Sequence, residues 1–219
     1  MLTTHLLLLS GLASGWAAQV SAPAQSGTGG RITTPWQLND VSGQRHDLSQ
    51  NSPGRTRVFV FLTTECPIAR SYTPTLNQLF TRFDQGMLSA QGDKRVDFFA
   101  VISDPSITCT AAAAHCAEFK MAYPVLFDAD GLLAGALRPS HIPEAFVISP
   151  AGNLVYRGAI DNTWESVGRR RPRADQQYLA EALKATLAGK APAVARTTPV
   201  GCPVERPGAP ERIPGDQSR

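Results

Sequence analysis

The chain of 219 residues is 42% hydrophobic and 18% charged, enough for one folded domain with a substantial core and too little for a multi-domain assembly. Its 21 basic and 18 acidic residues leave a formal charge of +3, which points away from nucleic acid, a partner that needs a concentrated basic face. Its 18 glycines and 17 prolines exceed the usual share but fall short of low complexity, so a folded core with loose ends is expected.

The first thirty residues carry no Asp, Glu, Lys or Arg and open on an apolar run, Leu6 to Leu9, that continues through Leu12, Ala13, Trp16 and Ala18. Ser10, Gly11, Ser14 and Gly15 interrupt the run, which is too short for a stable membrane span. It reads as a secretory leader over residues 1–17, with Gly15-Trp16-Ala17 as the cleavage site, followed by a small, polar linker over 18–30. Export to the periplasm or the extracellular space is therefore expected, where Cys66, Cys109, Cys116 and Cys202 tend to oxidise. No Cys-x-x-Cys pair exists, so a zinc ribbon and a haem attachment site lack support, and no metal or cofactor is expected.

From Ile32 to Leu48, two short extended pieces around Asn39-Asp40-Val41-Ser42-Gly43 predict an N-terminal extension hairpin. The run Val58 to Leu62 is continuous, β-branched and aromatic, the pattern of a central strand buried on both faces. After it, Ile68, Tyr72, Leu76, Leu79, Phe80 and Phe83 recur at helical spacing, with Cys66 at the start of the helix. A second βα unit follows, with a strand from Val96 to Ile102 and an alanine-rich helix from about Thr110 to Met121, which implies a parallel crossover. Pro124 to Phe127 reads as extended and Leu132 to Leu137 as helical, and Ala145 to Ile148 and Leu154 to Ile160 read as a hairpin turned by Ser149 to Asn153. A last helix is expected from about Ala174 to Leu187. The core domain then spans 31–189, and residues 190–219, with six prolines and no periodicity, form a tail carrying Cys202. The basic run Arg169 to Arg173 reads as a solvated loop, and His115 as a partly exposed histidine.

The order βαβα, hairpin, closing helix, with a cysteine directly after the central strand and Pro143 just before the hairpin, resembles the thioredoxin fold. Four blocks sharpen the likeness: Phe61 to Ala69, Ile142 to Val147, Tyr156-Arg157-Gly158 and Val200 to Pro203. Together they resemble exported bacterial redoxins of the AhpC/TSA and thioredoxin-like group. The resemblance implies an α/β architecture with a central mixed sheet flanked by helices, an antioxidant or thiol-disulfide oxidoreductase activity, and a thiol protein, disulfide protein or peroxide as partner. It also implies that Pro143 is a cis-proline facing Cys66 and that Thr63 supports the thiolate. Two departures stand out. Where thioredoxins place a second cysteine, this chain has Ala69, and where peroxidases of the group place a proline, it has Phe59. The second cysteine of the related copper chaperones would fall at Arg70.

Pro67 suits a first helical position, which puts the Cys66 sulfur at a helix N-terminus, where free N–H groups favour thiolate. A lone attacking thiol needs a second to resolve its mixed disulfide. Cys202 lies thirteen residues beyond Gly189. That is a reach on the order of 40 Å, enough to return to the site. A catalytic Cys66–Cys202 pair and a static bridge both fit, as does a non-catalytic binding or metal-accessory module that has lost its local dithiol. Cys109 and Cys116 are seven residues apart and can bridge only if Cys109 precedes the helix, with Thr108 or Thr110 as its cap; that bridge and two free thiols remain alternatives.

Overall fold

The computed structural model describes residues 37–48, 54–83 and 96–204. The expected leader over 1–17, the linker over 18–30 and the end of the tail lie outside these residues.

The elements run β1 (Gln37–Asn39), β2 (Arg45–Asp47), β3 (Thr56–Leu62), α1 (Pro67–Ser71), α2 (Thr73–Phe83), β4 (Val96–Ile102), α3 (Cys109–Glu118), β5 (Val125–Phe127), α4 (Leu132–Leu137), β6 (His141–Ile142), β7 (Glu144–Ile148), β8 (Leu154–Gly158), β9 (Trp164–Ser166), β10 (Arg169–Arg170), α5 (Tyr178–Leu187) and β11 (Cys202–Pro203). The main sheet has the order β5-β4-β3-β7-β8. Strands β3, β4 and β5 are parallel, β7 joins antiparallel to β3, and β8 joins antiparallel to β7, so the sheet is mixed, with β3 at its centre. This is a thioredoxin-like α/β fold.

Every residue of β3 is buried, because both faces of the sheet are covered. Val58, Val60 and Leu62 pack with Leu76, Phe80, Leu179 and Leu183 from α2 and α5, while Phe59 and Phe61 face Leu133 and Leu137 of α4 on the other side. Burying an aromatic or branched aliphatic side chain is worth about 1.5–3 kcal/mol, so a strand without a polar face has no other stable location. Phe61 meets Phe146 edge-on, with centroids 5.6 Å apart.

Both sheet edges are occupied. On one, the β1–β2 hairpin docks on β5, where the Val41 amide donates to the Val125 carbonyl at 2.9 Å. On the other, Arg157 of β8 pairs with the chain near Arg196: its amide donates to Ala195 and its carbonyl accepts from Thr197, each at 3.1 Å. Open strand edges are thereby withdrawn from other chains.

Several boundaries depart from expectation for identifiable reasons. The helix expected through Phe83 breaks at Tyr72, because Pro74 has no amide to donate to the Arg70 carbonyl and the chain restarts from the Tyr72 carbonyl. The last helix begins at Tyr178 rather than near Ala174, since the Asp175 and Gln176 amides are taken by the Asn162 side chain at 2.8 and 3.0 Å. Strand β8 stops at Gly158, not Ile160. Gly158 adopts φ +142, and a Cβ there would lie 2.2 Å from Thr197 Oγ1, so only glycine lets the tail approach this closely. His115 is buried rather than partly exposed, its ring tilted 40° against Phe119 with centroids 4.5 Å apart. The tail is not loose over its described part, and residues 195–204 are bonded to the domain. The basic run forms part of the β9–β10 hairpin, where Glu165 pairs with Arg169 and Arg171.

Candidate active site

Strand β3 delivers the chain to Thr63-Thr64-Glu65, and Cys66 follows as the N-cap of α1 with Pro67 in the first turn. Cys66 has an extended backbone and its side chain caps no amide. Its carbonyl accepts from the Arg70 amide at 3.1 Å, so the first helical turn is closed by backbone alone and the sulfur is left for other contacts. Those contacts come from two distant segments. The Cys66 thiol donates to the Ile142 carbonyl at 3.4 Å, and the Cys202 thiol donates to Cys66 Sγ at 2.8 Å. Both thiols are free.

Cys202 arrives there because β11 pairs antiparallel with β6, setting Cys202 opposite Ile142 and Pro203 opposite His141. The Val204 amide extends the pairing by donating to Ser140 at 3.0 Å. The Ile142–Pro143 peptide is cis, and Pro143 is buried between this edge and β7. Gly201 fits where nothing larger would, since a Cβ would lie 1.9 Å from the Ile142 carbonyl oxygen. The tail covers the nucleophile candidate, so Cys66 is only 1% exposed while Cys202 faces solvent. Although the residue is exposed, partial desolvation of its sulfur pushes the Cys202 thiol up to about 11, and its hydrogen bond to Cys66 and the Cys66 charge push the same way.

The structure thus brings Cys66, Pro143 and Cys202 together. Thr63 is buried three residues before Cys66, with no hydrogen bond to its sulfur. Arg70 lies over the Phe119 ring at 5.6 Å, so its cationic head is engaged by α3. Cys109 and Cys116 are not brought into a bridge. Thr108 is the N-cap as allowed for, but Cys109 is already the first residue of α3, one helix carries both residues, and both thiols are free. Cys116 is instead a partly buried thiol whose pKa burial pushes up to about 11.

Two features of the site escape sequence reasoning. Glu144, directly after Pro143, is almost fully buried and paired with Arg157 at 2.7 Å. Tyr72, at the end of α1, donates to the buried Asp161 at 2.8 Å and ties that helix to the chain after β8. The only available signal for either was a charged residue beside an otherwise apolar strand. Among the described residues, no group of three or more His, Cys, Asp or Glu is placed to hold a metal, and no helix is long and apolar enough to cross a membrane.

The sequence matches the Redoxin family over residues 19–178, from before the described hairpin into α5. The chain belongs to the Redoxin family. Among curated proteins none matches this redoxin. Among solved structures it is similar to an uncharacterized conserved protein of Geobacillus kaustophilus, at 20% identity and TM-score 0.66, covering 83% of this chain and 93% of that one. A hypothetical protein of Sinorhizobium meliloti is similar at 22% identity and TM-score 0.64, covering 82% and 94%. MTB dsbF, in mixed oxidized and reduced forms, shares 16% identity at TM-score 0.51 over 69% of this redoxin and 95% of its own chain. These likenesses concern the fold.

Proposed function

We propose that this redoxin is a thiol-disulfide oxidoreductase in which Cys66 is the attacking sulfur and Cys202, supplied by the tail, is the resolving one. The observation that carries the reading is the 2.8 Å approach of the two sulfurs across the β6–β11 pairing. In the reductive direction the Cys66 thiolate attacks a substrate disulfide, forming a mixed disulfide and releasing one substrate thiolate, which takes a proton from solvent. Cys202, once deprotonated, then attacks Cys66 Sγ, forming the Cys66–Cys202 disulfide and releasing the second substrate thiol. An external dithiol restores both thiols. The same steps reversed oxidise a substrate dithiol. Pro143 shapes the rim beside the sulfurs. Disulfide exchange is favoured over peroxide reduction because Phe59 replaces the peroxidase proline and Thr63 makes no hydrogen bond to Cys66.

The test mixes reduced protein with insulin and a recycling dithiol, with thiols trapped by alkylation and mapped under non-reducing conditions. The parent should turn over through a Cys66–Cys202 bridge. Cys66→Ser should be inactive, and Cys202→Ser should stall as a mixed disulfide on Cys66. Absence of the bridge, or full turnover by Cys66→Ser, overturns the reading, and turnover with peroxide but not with insulin would replace it by peroxidase chemistry.

A further inference from the structure

We infer that the buried Glu144–Arg157 ion pair is a positioning device that holds the two halves of the thiol pair in register, and so sets how readily Cys66 and Cys202 join. The inference rests on the exchange reading above. Glu144 splits its carboxylate between two tasks. One oxygen accepts both Nε and Nη2 of Arg157, at 3.0 and 2.7 Å. The other accepts the Ser140 amide and hydroxyl, at 2.6 and 2.9 Å. Charge-assisted, these bonds fix geometry more firmly than neutral ones.

The consequences run toward the sulfurs on both sides. Ser140, clamped by Glu144, presents its carbonyl to the Val204 amide at 3.0 Å, and the two residues after Ser140 are the β6 pair that receives Cys202. Arg157 Nη2 also donates at 3.1 Å to the carbonyl of Arg138, whose backbone is left-handed at φ +52, so the start of the same loop is tied to β8 as well. Meanwhile the Arg157 backbone bonds Ala195 and Thr197, anchoring the tail five residues before Cys202. One residue therefore grips the loop carrying Ile142 with its side chain and the segment carrying Cys202 with its backbone. The β6–β11 pairing joins the two segments at the sulfurs themselves, and Arg157 adds a second tie behind it. Effective concentration between two groups on one chain depends on such fixed geometry.

The experiment equilibrates reduced protein with oxidised and reduced glutathione. Two protein thiols give two electrons and two protons to glutathione disulfide, which leaves as two glutathione thiols. In parallel, the rate at which a small aromatic disulfide captures Cys66 is measured in the reduced protein. For Glu144→Gln, the equilibrium constant for the Cys66–Cys202 bridge should fall about tenfold or more, the effect expected for losing one charge-assisted hydrogen bond. Capture of Cys66 should be no slower, because the attacking thiol itself is untouched and less covered. Ser140→Ala, which deletes one of the hydrogen bonds to the carboxylate and leaves the ion pair intact, should shift the equilibrium in the same direction by a smaller factor; it carries the test if Glu144→Gln fails to fold. An equilibrium constant equal to the parent's, or a capture rate that falls in step with it, overturns the positioning role. A parent protein that forms no bridge at all overturns the exchange reading itself, and this inference with it.

Discussion

Gly201→Ala is the sharpest perturbation of the tail. A Cβ at 201 would stand 1.9 Å from the Ile142 oxygen, 2.5 Å from its carbonyl carbon and 3.0 Å from the Pro143 nitrogen. An ordinary carbon–oxygen contact is roughly 3.3 Å, so the tail must retreat by about 1.4 Å from the position Gly201 holds. All three obstacles are backbone atoms, and no side-chain rotation relieves them. The retreat moves Cys202, the next residue, away from Cys66 by a comparable amount. Misplacement of reacting groups by about 1 Å costs on the order of 100-fold in rate. We therefore expect Cys66–Cys202 bridge formation from a preformed mixed disulfide, followed by rapid quench and alkylation, to slow about 100-fold. Cys66, 1% exposed beneath the tail, should alkylate faster in the reduced variant. The Thr197 anchor lies outside the disturbance, so the thermal midpoint should shift by only about 2–4 °C, the equivalent of roughly 1 kcal/mol in a domain of this size. Bridge formation at the parental rate, with Cys66 still slow to alkylate, would show that the tail is not seated on Ile142 as described and would refute the reasoning.

Thr197 is the other anchor: its Oγ1 accepts the Ala159 amide at 2.8 Å and shares a 2.8 Å hydrogen bond with the buried Tyr156 hydroxyl. Thr197→Val leaves that amide unpaired and should cost about 1–3 kcal/mol in urea unfolding; a loss below about 0.5 kcal/mol would show the amide finds another partner. Burial chiefly, with Arg70 adding and Glu118 opposing, holds the His115 pKa below its ordinary value. A depressed pKa in the folded state means the unfolded chain binds the proton more readily, so this stability is complete above about pH 6.5 and is lost as pH falls through the folded pKa. His115→Gln should flatten that slope between parent and variant unfolding curves, and parallel curves would exclude His115 as its source. In Cys66→Ala, Cys202 loses both the hydrogen bond and the charge of its neighbour, so its alkylation midpoint should drop below the value of about 11 in the reduced parent. An unmoved midpoint would mean that burial alone sets it.

The pieces that local pattern controls were legible. β4 and α4 begin and end where periodicity puts them, at Val96–Ile102 and Leu132–Leu137, because their burial repeats within a few residues. The position of Cys66 at the end of the central strand was legible for the same reason. What escaped has two sources: local effects that an apolar period masks, and contacts across long stretches of chain. The apolar period from Ile68 to Phe83 runs straight through Tyr72, and only the missing Pro74 amide, whose effect that period masks, splits the helix. His115 meets Phe119 one helical turn on, a spacing that is visible in the sequence but does not by itself say that the face is buried. For Cys202 the sequence supplied a length, enough chain to return, but not a register. That register comes from the pairing of 202 with 142 and from a carboxylate at 144 whose partner lies on another strand. Pro143-Glu144 was visible as a block, yet its charge had no sequence-local counterpart.

Moving the second thiol off the helix changes what controls the chemistry. With a cysteine at 69, the two sulfurs would share one helical turn and their separation would follow from helix geometry alone. Ala69 removes that option, and the separation is set instead by how well a separate segment docks. The docked segment has two effects that pull in opposite directions. It places a resolving sulfur 2.8 Å from Cys66, and it leaves Cys66 almost without solvent access. On the exchange reading a substrate must therefore displace β11 to reach Cys66, and β11 must return to finish the reaction. The Cys202 thiol suits that order. While Cys66 is free, burial and the neighbouring sulfur keep the proton on Cys202. On the exchange reading, a mixed disulfide on Cys66 removes the hydrogen bond and the charge that help raise the Cys202 pKa, which eases deprotonation of the resolving thiol when it is needed.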